Sequence, residues 1–175
     1  MNRFRRFLAQ AIHPIPVFLL ALTLCAQTAN AACADPKRFT LDDDEARDTR
    51  TGLVWKRCSV GLVWLDRDGC RGEIAQLKLD DARAAAAKEG EGWRLPSADE
   101  LLGLVMQKCG EPAIETTTFP DVPLDAGGEG SLYWTSTPAG MLGMTVTVDF
   151  RDGTYDMHSP GLGYFVRLVR GPTQR

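Results

Sequence analysis

Hydrophobic residues first cluster between residues 38 and 56, where Phe39 and Leu41 are parted from Leu53, Val54 and Trp55 by a polar stretch. This pattern predicts one strand over 38–41 and a second over 52–56, joined by an acidic turn at Asp42, Asp43, Asp44 and Glu45. Small and apolar residues follow from 59 to 65, and Asp66-Arg67-Asp68-Gly69 reads as a turn. Residues 79–89 predict a helix. Asp80 and Asp81 suit its positive end, the alanines at 82 and 84–87 carry high helix propensity, and Gly90 and Gly92 end it. A sharper signal comes at residues 92–102. Pro96 pushes Leu95 toward extended geometry, and Ser97 with Glu100 three residues on forms a capping box. Leu101, Leu104, Val105 and Cys109 continue at helical spacing, predicting about three turns that stop at Gly110 and Pro112.

Residues 110–131 are rich in Pro, Gly and acid and read as a long loop in which Ile114 and Phe119 reach the core. Long irregular loops in compact domains are often functional. Strand patterns then cover 131–136, 144–150, 153–158 and 163–170. Val146, Val148 and Phe150 alternate with Thr145, Thr147 and Asp149, and Asp152-Gly153 predicts a two-residue hairpin turn. Strands, then helices, then strands imply an α+β fold, with two helices packed on a small antiparallel sheet.

The N-terminus changes the compartment. Arg3, Arg5 and Arg6 precede an apolar run over 17–24, and Ala29 and Ala31 are small residues at the positions a signal peptidase reads. Residues 1–31 are therefore expected to be a cleaved signal peptide, and 32–175 a single domain in the periplasm or outside the cell. The apolar run falls short of the about 20 residues a bilayer span needs, so no stable membrane insertion is expected after cleavage. Three of the 20 basic residues and none of the 23 acidic ones lie in this leader, leaving 17 against 23, a net charge of −6. That sign excludes a generic nucleic-acid binder. Of five cysteines, Cys33, Cys58, Cys70 and Cys109 remain. An even count in an exported chain reads as two disulfides with three connectivities. Cys58 and Cys70 flank a short Gly- and Asp-containing segment as the local pair, leaving Cys33 to staple the N-terminus to Cys109.

Six segments in this order resemble the Lcl C-terminal domain, a family of exported bacterial domains of largely unknown function: TRTGLVWKRC (49–58), GWRLPSADELLGLV (92–105), PAIETTTFPDVP (112–123), YWTSTP (133–138), VTVDFRDG (146–153) and YFVRLVRG (164–171). The resemblance implies a C-type-lectin-like fold. Its name-giving adhesin is associated with sulfated polysaccharides, which want a basic surface, whereas this mature chain is acidic. Similarity to the formylglycine-generating branch of that fold group raises an enzymatic alternative. Such oxidation needs a reactive cysteine pair in the late half, and no cysteine follows Cys109. His158 is the only histidine of the mature chain and sits beside Ser159-Pro160, with no nucleophile elbow in the sequence. No catalytic residue and no metal ligand set is assigned.

Binding is the expectation that remains. Sugar-binding C-type lectins hold sugar through calcium in their long loop, and Asp121, Asp125 and Glu129 lie in the corresponding stretch. Calcium needs about six to eight oxygens, so three acids are compatible with such a site without defining one. Trp64, inside the Cys58–Cys70 loop, is the tryptophan best placed for exposure, whereas Trp55, Trp93 and Trp134 read as core. Asp149, Arg151, Asp152, Tyr155 and His158 gather around the late hairpin as a polar binding surface. The expected function is an exported, non-enzymatic module of the cell envelope that recognises a glycan or an envelope protein. The alternative is an accessory or inhibitory partner of a secretion or adhesion system.

Overall fold

A computed structural model describes residues 33, 35–90, 92–124, 130–140 and 143–171; the expected leader and the sequence candidates Asp125 and Glu129 lie outside the described residues. Those described belong to one unit, Cys33–Arg175. The fold is α+β, with three small antiparallel sheets, two helices and two disulfides, Cys33–Cys109 and Cys58–Cys70.

The first sheet has the order β1 (Phe39–Asp42), β2 (Glu45–Asp48), β3 (Val54–Lys56), β9 (Val169–Arg170). Strand β2 was absent from the sequence pattern because its inward positions are Ala46 and Asp48, not large apolar residues. Asp48 is buried because its carboxylate accepts Arg38 Nη2 at 2.9 Å and the Arg50 N–H at 2.9 Å. The expected four-residue acidic turn therefore shrinks to Asp43-Asp44, with Asp43 in the left-handed region at φ 51°. A separate two-stranded hairpin follows, β4 (Leu62–Leu65) and β5 (Gly69–Gly72), whose Cys70 is bridged to Cys58 in the segment before β4.

Helix α1 (Leu79–Glu89) keeps the expected bounds and buries Leu79, Ala82 and Ala86. Helix α2 (Ala98–Leu102) forms the expected capping box but is much shorter than the predicted three turns. Gly103 caps it, and the chain leaves the helix to hydrogen-bond elsewhere. Leu104 N–H reaches back only to the Leu101 carbonyl, and Met106 N–H donates to Ala113. Leu104 is still buried, so helical spacing marked a buried residue beyond the helix itself. Arg94 supplies a partner that the sequence did not announce: its guanidinium grips Glu100 with two bonds of 2.8 Å. Burial alone would raise the Glu100 pKa, but Arg94 and the Ser97 N–H outweigh it and hold the carboxyl below its usual value.

The third sheet is a meander of β6 (Leu132–Pro138), β7 (Thr145–Asp149) and β8 (Tyr155–His158). Its β7–β8 connection is longer than the two-residue turn expected from Asp152-Gly153. Phe150 turns into the core instead of extending the ladder, and Asp149 accepts the Gly153 N–H across the loop. Gly153, at φ 80°, lies against Val105, leaving no room for a side chain.

The last predicted strand is the seam of the molecule. Only Val169–Arg170 is regular strand, yet residues 164–169 are all buried. Their backbone pairs in turn with Leu77, with Leu132 and Trp134, with Val60, with Lys56 and with Arg94. Phe165 and Val169 enter one hydrophobic cluster with Trp55, Phe119 and Tyr133, while Tyr164, Val166 and Leu168 enter another with α1 and Trp134. Arg167 lies on the first face, fully buried.

Beside Arg167, the Tyr133 hydroxyl is 2.9 Å from Ser59 Oγ. Burial pushes the Tyr133 phenol from 10.0 up to about 12; Arg167 opposes this and Asp121 adds to it. A raised folded-state pKa leaves full stability below pH 10 and removes it as pH rises through 12. Spectrophotometric alkaline titration should therefore find one of the three tyrosines ionising last, together with loss of structure between pH 10 and 12. Replacing Tyr133 with phenylalanine should remove that late step.

Candidate functional site

A cleft of about 460 Å³ opens between β3, the C-terminal half of α1 and the β4–β5 hairpin. Alternation along β4 turns Leu62 and Trp64 inward and leaves Val63 and Leu65 to solvent. The cleft wall is apolar, made of Val60, Leu62, Val63, Trp64, Ala85 and Leu168, and its charged end holds Asp44, Lys56, Lys88 and Glu89. Lys56 Nζ bonds Asp44 at 2.6 Å and Glu89 at 2.8 Å, and lies 4.8 Å from the Trp93 ring centre. Burial would lower its pKa, but the two carboxylates outweigh burial and raise it, so Lys56 stays charged.

Trp64 is half-buried, and its position is fixed from below. The Arg57 guanidinium stacks 3.5 Å from the Trp64 ring centre. Arg57 in turn donates to the carbonyls of Asp43, Thr117 and Thr118. The Cys58–Cys70 bridge fixes the hairpin at the same level, with Cys70 opposite Trp64 in the ladder. Sequence reasoning singled out Trp64 but not Lys56, Glu89 or Arg57. Their meeting depends on packing between segments about thirty residues apart, which no local spacing encodes.

The late-hairpin candidates are divided. Asp149 is buried and works as a turn brace: its Oδ1 accepts the N–H groups of Ser131 and Arg151 at 2.9 and 2.8 Å, and its Oδ2 meets Arg151 Nη2 at 3.3 Å. Asp152 accepts the Thr154 hydroxyl and N–H, which hold its pKa below the usual carboxylate value. Tyr155 is exposed, and His158 is half-buried with Nδ1 2.8 Å from Thr147 Oγ1 and its ring against Tyr164. Asp149, Tyr155 and His158 share a shallow polar recess of about 340 Å³ that Arg151 and Asp152 do not line.

Asp121 lies elsewhere, in the core. Its Oδ2 accepts the Ser59 N–H at 2.6 Å and its Oδ1 accepts Arg167 Nη2 at 2.5 Å. Both oxygens are engaged, so calcium could take Asp121 only by unpairing a buried arginine. Asp125 and Glu129, the other two acids of the expected calcium set, lie outside the described residues.

The model of the Lcl C-terminal domain matches residues 44–170. The chain belongs to this family. The match begins in the β1–β2 turn, ends with β9, and takes in the cleft, both helices and the late meander. The Lcl C-terminal domain is of uncertain function and is not known as an enzyme family. No protein of curated function matches the chain. Two disulfides in this Lcl C-terminal domain fit an oxidising compartment outside the cytoplasm. No helix among the described residues is long and apolar enough to cross a membrane.

Proposed function

We propose that this Lcl C-terminal domain is an exported, non-enzymatic binding module of the cell envelope with a C-type-lectin-like architecture, and that a glycan is its ligand. The observation that carries this is the Trp64 cleft: an aromatic wall, rigidly backed by Arg57 and a disulfide, faces a charged end at Asp44, Lys88 and Glu89. A sugar ring has an apolar C–H face that packs on an indole and equatorial hydroxyls that hydrogen-bond carboxylates and ammonium groups. A mostly apolar cleft with a few convergent polar groups suits such a ligand. The acidic balance of the mature chain favours a neutral or cationic glycan over a sulfated one.

The commitment of Asp121 to Arg167 supports binding without calcium. On a glycan array the protein should bind a set of neutral or amino sugars, equally with calcium and with EDTA. Trp64→Ala should weaken that binding about tenfold or more, as loss of an aromatic anchor does. Binding to no glycan, or equal binding by Trp64→Ala, would sink the reading. The second reading, an accessory or inhibitory partner of a secretion or adhesion system, is favoured by the exposure of Val63 and Leu65 on the outer face of the same hairpin.

A further inference from the structure

The outer face of the β4–β5 hairpin is apolar where a solvated hairpin would be polar. Val63 is 64% and Leu65 46% exposed, with Arg71 and Gly69 opposite them on β5. Soluble domains rarely hold two neighbouring aliphatic side chains outward on a rigid, isolated two-stranded sheet without a use for them. The hairpin is held in place: Cys58–Cys70 ties β5 to the segment before β4, and Arg57 links its Trp64 to the Asp43 carbonyl of the β1–β2 turn.

That link brings two acidic turns together. The Asp43 and Asp66 carboxyls face one another closely enough for their like charges to interact, and Asp42 ends β1 just before this turn. Among the described residues no base forms an ion pair with Asp42, Asp43 or Asp66, although Asp44 is neutralised by Lys56 and Asp68 has Arg71 at 4.0 Å. Arg67 and Arg71 are the only bases on the hairpin itself. Desolvation, then the like charge of Asp66, hold the Asp43 pKa above its usual value.

We propose that Val63 and Leu65, with Asp42, Asp43 and Asp66 beside them, form the docking surface for a protein partner that presents a basic side chain next to an apolar one. The aliphatic pair supplies the desolvated centre, and the aspartates at its rim choose the partner by charge. Val63 also lines the edge of the Trp64 cleft, whereas Leu65, Asp42, Asp43 and Asp66 lie outside it.

The test uses phage-displayed random peptides selected against the purified protein with both disulfides formed. The enriched peptides should carry Lys or Arg beside an aliphatic or aromatic residue, and their affinity should fall as salt rises. They should lose at least about tenfold in affinity for Val63→Asp/Leu65→Asp, and likewise for Asp43→Asn/Asp66→Asn. All four side chains point outward, and retention of both disulfides checks that each variant folds. Tyr155→Asp, which alters an exposed residue of β8, should leave binding intact. Enrichment of acidic or uncharged peptides, or equal binding by both double variants, overturns the proposal. So does sedimentation showing a dimer that Val63→Asp/Leu65→Asp abolishes, since the face would then belong to a second copy of this chain.

Discussion

Replacing Arg167 with alanine is expected to destabilise the domain by about 3 to 5 kcal/mol, enough to unfold a domain of ordinary stability at physiological temperature. The guanidinium is fully buried and makes four hydrogen bonds at once. Its Nη1 donates to the carbonyls of Lys56 and Arg57 at 3.0 and 2.6 Å; its Nη2 donates to Ser59 Oγ at 3.1 Å and to Asp121 Oδ1 at 2.5 Å. Its plane lies 4.9 Å from the Phe119 ring centre. Burial disfavours the charge, but Asp121 first and then the Tyr133 interaction outweigh it, so the Arg167 pKa is raised and the cation is firmly held. Truncation leaves the Asp121 carboxylate buried without its cation, and removes the Arg167 bonds to the Lys56 and Arg57 carbonyls. Asp121→Asn should cost less than Arg167→Ala, because an amide can still accept the Ser59 N–H. Urea denaturation of the three proteins at pH 7 measures this. A loss under about 1 kcal/mol for Arg167→Ala would refute the assignment.

Arg167 also shows which parts of the molecule a sequence declares. Helix α1 and the Ser97–Glu100 capping box were legible because propensity and capping act within a few residues. Trp55, Trp93 and Trp134 were legible as core because large apolar residues have few alternatives. The strand β2 was hidden because its inward residues are an alanine and an aspartate, and burial of Asp48 is permitted only by Arg38, a partner ten residues away. The end of α2 was hidden because Leu104 and Val105 keep helical spacing after the backbone has left the helix for Ala113. The strand predicted over 163–170 alternates between two faces, and neither is wet, since two separate clusters take them. An arginine in such a pattern reads as solvent-facing until Asp121 is brought to it from 46 residues away.

The site followed the same rule. Trp64 stood out because a local disulfide loop bounded it, and it does line the cleft. The acidic segments at 42–45 and 66–69 were each read as a turn on its own. Their approach depends on Arg57 joining Trp64 to the Asp43 carbonyl, a contact across sheets. Asp121 was grouped with Asp125 and Glu129 by proximity in sequence and charge alone, whereas its carboxylate faces the core.

The two disulfides should separate stability from recognition. In the loop-entropy description a cross-link constrains the unfolded chain more as the closed loop lengthens. Cys33 and Cys109 are 76 residues apart and Cys58 and Cys70 only 12. The first bridge should then contribute about 4.5 kcal/mol and the second about 3 kcal/mol, both upper values. Cys33→Ala/Cys109→Ala should accordingly show the larger fall in urea midpoint, and the surviving fold should keep the hairpin, the Trp64 cleft and ligand affinity. Cys58→Ala/Cys70→Ala should melt closer to the parent but bind more weakly. A two-stranded hairpin freed from its tether to Cys58 is marginal in water, and Arg57 cannot by itself hold Trp64 against the cleft. Measuring denaturation and glycan or peptide binding on both variants gives a crossed result if the hairpin is the recognition element. If Cys58→Ala/Cys70→Ala binds like the parent, the hairpin is scaffold alone, and recognition has to be sought in the polar recess of Tyr155 and His158.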